Sequence, residues 1–239
     1  DLKERSLDDY LHIYGGHCKH TLDGAVFAKE MRDAETEARF TRVPYVSTKP
    51  VDVYFDLGRR DMCSAWFTQQ VGFEYRFIDF YEACGHVWSH YLKMMQERPY
   101  VYGTIWLTHD ADHDLLASDR SITKQTREVF SRVRVIPQVA RKNIAVEAGR
   151  SVFAQCWFDR EKCADGIQHL RHYQFEVDAK TGQRGKEPLH DEHSHAADAF
   201  MQVGMAMQEP KPRGSGLPDM PVRNPMMHRA GVGTSWMGR

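Results

Sequence analysis

The segment from residue 51 to residue 56 constrains the fold more than any other part of the 239-residue chain. Apolar residues at positions 51, 53 and 55 alternate with Asp52, Tyr54 and Asp56. A period of two is typical of a β-strand, because successive side chains point to opposite faces of a sheet. Gly58 follows closely, so we expect Asp56 to be the last side chain of this strand before the chain turns.

The residues after Gly58 predict an alternation of strands and helices. Strands are expected over residues 63–71 and 73–81, separated by Gly72, so the first three strands should form an antiparallel meander. Periodicity then predicts, in order, a helix over 85–97, a strand over 101–107, a helix over 122–130, a strand over 133–136, and helices over 139–157, 161–172 and 193–207. This order indicates an α/β fold with a mixed central sheet flanked by helices, in which the first strand is central and next to the fourth.

Composition divides the chain into three parts. Residues 1–50 are expected to be a lead-in segment with a helix over about 23–37, and residues 51–208 to form the domain. A polar hairpin or loop is expected over 178–188. Residues 209–239 are rich in Pro, Gly, Arg and Met without any periodicity, which is typical of a disordered tail. Its removal should leave the thermal stability nearly unchanged.

The overall charge and hydropathy exclude two classes of protein. A formal net charge of -1 is inconsistent with a protein that simply coats nucleic acid, since phosphate binding normally needs an excess of Lys and Arg. Any contact with DNA must therefore be local, or assisted by another domain or subunit. No window approaches the roughly 20 consecutive apolar residues of a membrane span. We therefore expect a cytosolic protein with no membrane association.

Three carboxylates fall at the ends of predicted elements. Asp56 closes the first strand, Asp110 follows the fourth strand, and Asp198 lies on the last helix. Clustered carboxylates repel one another unless a cation binds between them. Mg²⁺ and Mn²⁺ prefer such oxygen ligands, and two ions roughly 3.5–4 Å apart can hold both the attacking and the leaving oxygen of a phosphodiester. The pattern therefore predicts a metal-dependent phosphodiester hydrolase.

Three stretches resemble motifs of one family, the C-terminal nuclease domain of the large terminase subunit of tailed bacteriophages. They are RVPY at 42–45 with PVDVYFDLGRRD at 50–61, LTHDA at 107–111, and PLHDEHSHAADAF at 188–200. The resemblance covers roughly residues 10–207 and implies a ribonuclease H-like fold. The chain contains no G-x-x-x-x-G-K-[ST] phosphate loop. It therefore resembles an isolated nuclease domain, and the family's ATPase domain should lie upstream.

The resemblance also implies roles for individual residues. Asp56, Asp110 and Asp198 would form the catalytic metal-binding core, with Asp61 as an accessory ligand. Asp112 and Asp114 are rivals of Asp110: Asp112 is a further candidate ligand, whereas Asp114 is expected to cap an element or face solvent. His195 lies three positions before Asp198, so both project from one helix face. His195 would orient Asp198 or transfer a proton.

Contact with DNA is predicted at four basic residues close to these motifs: Arg59, Arg60, Arg184 and Lys186. The loop that contains Arg184 and Lys186 is the better candidate, because a flexible basic loop can follow a phosphate backbone. The other basic residues that flank the site are interpreted as a solvated face: Lys124, Arg127, Arg132, Arg134, Arg141 and Lys142.

The resemblance implies a sequence-nonspecific DNA endonuclease that cuts concatemeric viral DNA during genome packaging, with two Mg²⁺ or Mn²⁺ ions. Its partners would be double-stranded DNA, the small terminase subunit, the portal protein and its own ATPase domain, in the host cytoplasm during phage assembly. A Holliday-junction resolvase or a transposase-like nuclease of the same fold is an alternative. So is a non-catalytic module that guides DNA or docks the portal.

Two further alternatives concern histidines. The pairs His109-Asp110 and His113-Asp114 are similar to the motif of HD-type phosphohydrolases, but those enzymes are all-helical and this pair follows a predicted strand. Zinc ligation by His169 and His172, or by His190, His193 and His195, is conceivable. Because no cysteines accompany them, we expect these histidines to be solvated or hydrogen-bonded instead.

Overall fold

The computed structural model describes residues 24–58, 61–112, 120–177 and 184–208. Some predictions lie outside these described residues and stay predictions. They concern Arg59 and Arg60 as DNA contacts, Asp114 as a solvent-facing residue, and the tail over 209–239. The described part of the chain has no helix that is both long enough and apolar enough to cross a bilayer.

The described residues form nine strands and six α-helices. The strands are β1 (Phe40–Thr41), β2 (Val51–Asp56), β3 (Met62–Val71), β4 (Glu74–Cys84), β5 (Tyr102–Thr108), β6 (Val133–Ile136), β7 (Cys156–Asp159), β8 (Phe175–Val177) and β9 (Arg184–Pro188). The helices are α1 (Ala28–Thr36), α2 (Trp88–Glu97), α3 (Ile122–Val129), α4 (Lys142–Phe153), α5 (Ala164–His172) and α6 (Ser194–Gln208), and a 3₁₀ helix spans His109–Asp112.

Seven strands form one sheet in the order β1-β7-β4-β3-β2-β5-β6, and β8 pairs with β9 as a separate hairpin. Strands β2, β3 and β4 pair antiparallel, whereas β2 with β5, β5 with β6, β4 with β7 and β1 with β7 pair parallel. The mixed sheet is therefore confirmed. The predicted neighbour relationship is confirmed as well, because β2 lies inside the sheet and directly beside β5.

The alternation along β2 supplies one side chain set to each face of the sheet. Val51, Val53 and Phe55 pack in a core with aromatic and apolar residues of α2, and Phe55 meets Trp88 edge to face at 5.1 Å between ring centroids. Tyr54 belongs to the opposite core, which α1, α4, α5 and α6 cover. Its ring stacks on Trp106 of β5 at 5.9 Å. Both faces of the sheet are thus covered by helices.

Two predictions about element boundaries were wrong. The helix expected over 139–157 ends at Phe153, and residues 156–159 form β7 between β1 and β4. Ile144 had been placed on the apolar face of that helix, yet it is 48% exposed, whereas Ala145, Ala148 and Val152 are buried. A short strand that is buried by neighbours on both sides has no alternating pattern, so local periodicity does not separate it from a helix end.

The lead-in segment also differs from its prediction over residues 24–50. Helix α1 and strand β1 lie in this segment, and β1 forms the edge of the main sheet. Val26, Phe27 and Met31 are buried in the core beneath α6. The folded unit therefore begins before residue 51, because the strand that completes the sheet edge comes from this segment.

Candidate active site

Asp56 lies at the carboxyl end of β2, at the edge of the sheet where β5 also ends. The two strands run parallel, with Tyr54 opposite Trp106. Asp56 is therefore level with Thr108, the last residue of β5. Since parallel strands finish at the same edge, the segment that follows β5 lies beside Asp56. The site predicted from the sequence has its first two elements adjacent.

Helix α6 lies across this edge and is attached to the sheet by two buried hydrogen bonds. The Gln202 side-chain amide donates to the Phe55 carbonyl at 2.6 Å, and the Trp66 indole donates to the Ala196 carbonyl at 2.8 Å. Farther along α6, a Cβ added to Gly204 would overlap the Ala148 carbonyl oxygen of α4. Only glycine allows this close approach of α6 and α4. Packing therefore sets where the side chains of α6 meet the sheet.

His195, on the first turn of α6, contacts Asp56 directly. Its Nδ1 lies 2.9 Å from Asp56 Oδ2, and the two side chains are 12% and 16% exposed. The hydrogen bond to Asp56 raises the pKa of His195 above its usual value, and this effect outweighs burial, which acts in the opposite direction. The contact joins two of the predicted catalytic residues across 139 positions of sequence.

Asp198 lies one turn farther along α6 and pairs with Lys142, with 2.5 Å between Asp198 Oδ1 and Lys142 Nζ. Burial raises the pKa of Asp198 to about 6, and repulsion from Asp56 adds to the increase, while Lys142 opposes it. Two carboxylates from β2 and α6 therefore lie close enough to perturb each other. Lys142, at the first turn of α4, had been assigned to a solvated face. No local pattern distinguishes it from the other basic residues near the site.

A cavity of about 220 Å³ opens between these carboxylates, α4 and α6. Its walls combine the two carboxylates and Lys142 with apolar and amide side chains. They are Asp56, Thr108, His109, Ile136, Pro137, Gln138, Val139, Lys142, Ala145, Asp198, Met201, Gln202 and Met205. The sequence had not singled out Gln138 or Gln202 for this site, and it had considered His109 only within another motif.

Asp110 and Asp112 lie in the 3₁₀ helix directly after β5, at the same edge of the sheet. Both are exposed. His109, which lines the cavity, has its Nε2 3.2 Å from Asp110 Oδ1. Asp110 is thus connected to the cavity through His109, and its assignment as a metal ligand stays a prediction.

Asp61, the accessory residue predicted after the first motif, lies beside two histidines of the third motif. Ligand atoms of Asp61, His190 and His195 all fall within 4.8 Å of one another. His193 is separated from this group: its Nδ1 contacts His169 Nδ1 at 2.9 Å, and His169 in turn contacts Glu82. The third motif therefore sends its histidines in two directions.

The basic hairpin β8–β9 packs beside the start of α4. The Asn143 side chain donates to the Lys186 carbonyl at 3.2 Å, and the Lys186 side chain is exposed. Arg184 is the first residue of β9. The hairpin is thus adjacent to Lys142 in the fold, and the role of Lys186 and Arg184 in binding DNA stays a prediction.

No protein-family profile matches the chain, and neither does any curated protein sequence. Solved structures do match. A full large terminase from a thermophilic bacteriophage aligns with a TM-score of 0.59 at 14% identity, over 77% of this chain and 45% of its own. The large terminase nuclease of the thermophilic phage G20c with bound magnesium aligns at 0.50 and 14%, over 75% and 97%. The P22 large terminase nuclease domain aligns at 0.50 and 10%, over 70% and 86%.

The mixed seven-stranded sheet with helices on both faces is a ribonuclease H-like fold. Within that class it is the fold of the nuclease domain of large terminases, as the alignments with the G20c and P22 nucleases show. The chain spans less than half the length of the full large terminase that it matches.

Proposed function

We propose that this chain is a divalent-metal-dependent DNA endonuclease that cuts concatemeric viral DNA during genome packaging. The observation that carries the proposal is the pair of largely buried carboxylates, Asp56 and Asp198, at the end of β2 and on α6. Both line one cavity together with Lys142. Such a pair is electrostatically costly unless cations compensate it, and functional sites are where this cost is retained.

The donors present at the site fit a hard divalent cation. Burial and the charge of Asp56 raise the pKa of Asp198 to about 6, so its ionised form needs a positive partner. Carboxylate oxygens are the ligands that Mg²⁺ and Mn²⁺ prefer. Asp56 and Asp198 would hold the metal, with Asp110 and Asp112 as further ligands from the adjacent 3₁₀ helix. The similar G20c nuclease contains bound magnesium.

Two bound cations would polarise the scissile phosphate, activate the attacking water and stabilise the leaving oxygen. The residues of the chain supply positioning and charge. His195 donates from Nδ1 to Asp56, which fixes the rotamer of that carboxylate. Lys142 neutralises part of the negative charge at Asp198. A lysine there also adds positive charge where a phosphate would approach.

The substrate and partners follow from the resemblance. Double-stranded DNA would lie along the edge of the sheet, with Lys186 and Arg184 of β9 and Arg59 and Arg60 after β2 near its backbone. The net charge of -1 implies that these local contacts do not suffice for tight binding. The ATPase domain, the small terminase subunit and the portal protein would therefore deliver the DNA to this domain, in the host cytoplasm during assembly.

Cleavage of supercoiled plasmid DNA tests the proposal. We expect nicking in Mn²⁺ or Mg²⁺, none in EDTA, and a rate reduced by at least about a hundredfold in Asp56→Asn and Asp198→Asn, because each removes charge from the metal site. Asp33→Asn, an exposed aspartate on α1, is the matched control and should cut normally. If the two site variants cut as fast as the parent, the carboxylate pair is not the catalytic centre.

A further inference from the structure

A second group of metal-ligating side chains lies next to the carboxylate pair. Asp61 precedes β3, His190 lies in the segment before α6, and His195 is in the first turn of α6. One ligand atom from each falls within 4.8 Å of the other two. The tertiary fold brings these three segments together. The donors are two imidazoles and one carboxylate, in contrast to the all-oxygen set of Asp56 and Asp198.

The hydrogen bond of His195 determines which of its nitrogens is available. Its Nδ1 is 2.9 Å from Asp56 Oδ2. An ionised carboxylate only accepts hydrogen bonds, so the proton resides on Nδ1 and the neutral ring has its lone pair on Nε2. A carboxylate that orients an imidazole in this way is the usual outer partner of a metal-binding histidine.

The hydrogen bonds of His190 lead to the same result independently. Its Nδ1 lies 3.0 Å from Ser194 Oγ, and the Ser194 hydroxyl donates its only proton to the Asp191 carbonyl at 2.7 Å. Ser194 must therefore accept from His190, which places the ring proton on Nδ1. Nε2 of His190 is then the nitrogen with a free lone pair. Both histidines are thus prepared as Nε2 ligands by partners outside the group.

We propose that Asp61, His190 and His195 form a binding site for a divalent transition metal of the Mn²⁺, Co²⁺ or Zn²⁺ class, separate from the carboxylate pair. Imidazole nitrogen binds these borderline ions well, whereas Mg²⁺ and Ca²⁺ favour oxygen ligands. Two histidines and one carboxylate leave coordination positions open for water or a phosphate oxygen. Asp61 and His190 are exposed, so an ion reaches the site directly from solvent.

The site is coupled to the carboxylate pair through the contact between His195 and Asp56. The same Asp56 carboxylate that would hold a metal with Asp198 also orients His195 toward the second position. An ion at the imidazole site therefore adds positive charge beside Asp56. This consequence rests on the proposed nuclease function: DNA cleavage should then be faster in Mn²⁺ or Co²⁺ than in Mg²⁺, and His190→Gln should remove the difference.

Cobalt binding to the whole chain tests the site without any need for catalysis. Co²⁺ is titrated into the metal-free protein, and binding is followed by calorimetry and by the visible ligand-field absorption that imidazole ligation intensifies. We expect binding to be more than about tenfold weaker in His190→Gln and in Asp61→Asn, since loss of even an outer partner costs about that much. His86→Gln, an exposed histidine outside the group, should bind like the parent.

The comparison with Asp198→Asn separates this inference from the proposed function. That variant should lose DNA cleavage but retain the Co²⁺ absorption that depends on His190. If Asp198→Asn still cuts DNA, the nuclease proposal fails while the cobalt result stands. If His190→Gln and Asp61→Asn both bind Co²⁺ within about twofold of the parent, with thermal melting that shows intact folds, the imidazole site does not exist.

Discussion

Gln202 donates its side-chain amide to the backbone carbonyl of Phe55 at 2.6 Å, and the two residues are 147 positions apart in sequence. Phe55 immediately precedes Asp56, and Gln202 is one turn beyond Asp198. A single buried hydrogen bond thus connects the strand that carries one carboxylate to the helix that carries the other. The relative position of the two carboxylates depends on this bond and on the close packing of α6 against α4.

Replacement of Gln202 by Leu tests that connection. The substitution retains most of the side-chain volume but leaves the Phe55 carbonyl without its donor. We expect the free energy of unfolding to fall by about 1–3 kcal/mol, the cost of a buried unsatisfied group, and plasmid cleavage to slow. Urea denaturation measures the first effect. Gln168→Leu, on the exposed face of α5, is the control and should change neither.

The packing of α6 against α4 predicts a second effect. A methyl group at Gly204 would overlap the Ala148 carbonyl. We expect Gly204→Ala to lower the free energy of unfolding by about 1–3 kcal/mol as the helices separate. Since Lys142 and Asp198 are on these two helices, cleavage should fall with stability. Gln208→Ala, exposed one turn later, should be neutral; equal stability of Gly204→Ala and the parent would contradict the packing argument.

The pH dependence of stability should differ between Asp198→Asn and the parent without metal. The folded-state pKa of Asp198 is raised to about 6 from a usual 3.8. The ionised group therefore costs stability, and this cost is absent below the lower value and complete above the higher one. Relative to the parent, Asp198→Asn should gain stability as pH rises from about 4 to about 7.5. Thermal melting at both pH values measures the change.

Addition of Mn²⁺ should reverse this order, because a ligand that binds only the folded state stabilises it. The parent should melt at a higher temperature with Mn²⁺ than without it. Asp198→Asn should respond less, since it lacks one of the proposed ligands. An equal response of both proteins would show that Asp198 is not a ligand.

Asp52 offers a pH effect that is independent of the site. Its Oδ1 accepts from the Thr104 amide at 2.6 Å beside an irregularity in the pairing of β2 with β5, and burial raises its pKa to about 6. Its charge therefore destabilises the fold above that pH. Asp52→Asn retains the acceptor and removes the charge, so it should be more stable than the parent near pH 7.5, by on the order of 2 kcal/mol, and equal near pH 4. Chemical denaturation at the two pH values tests this.

The sequence alone determined the elements whose pattern is local. Alternation over 51–56 predicted β2 and its terminal Asp56, and the meander and the mixed sheet followed from the spacing of strands, turns and helices. These predictions were correct because side-chain direction along a strand or helix is set within a few residues. Strand β7 and the sheet contribution of residues 24–43 were not predicted, because a short buried strand takes its identity from the neighbours on either side.

Only the tertiary structure decided which side chains meet. Asp198 and His195 were expected on one helix face, but the contact of His195 with Asp56, the ion pair of Lys142 with Asp198, and the group of Asp61, His190 and His195 depend on how α6 docks. These contacts join residues that lie far apart along the chain. Their energies come from packing and desolvation in the folded protein, which no local pattern of residue types encodes.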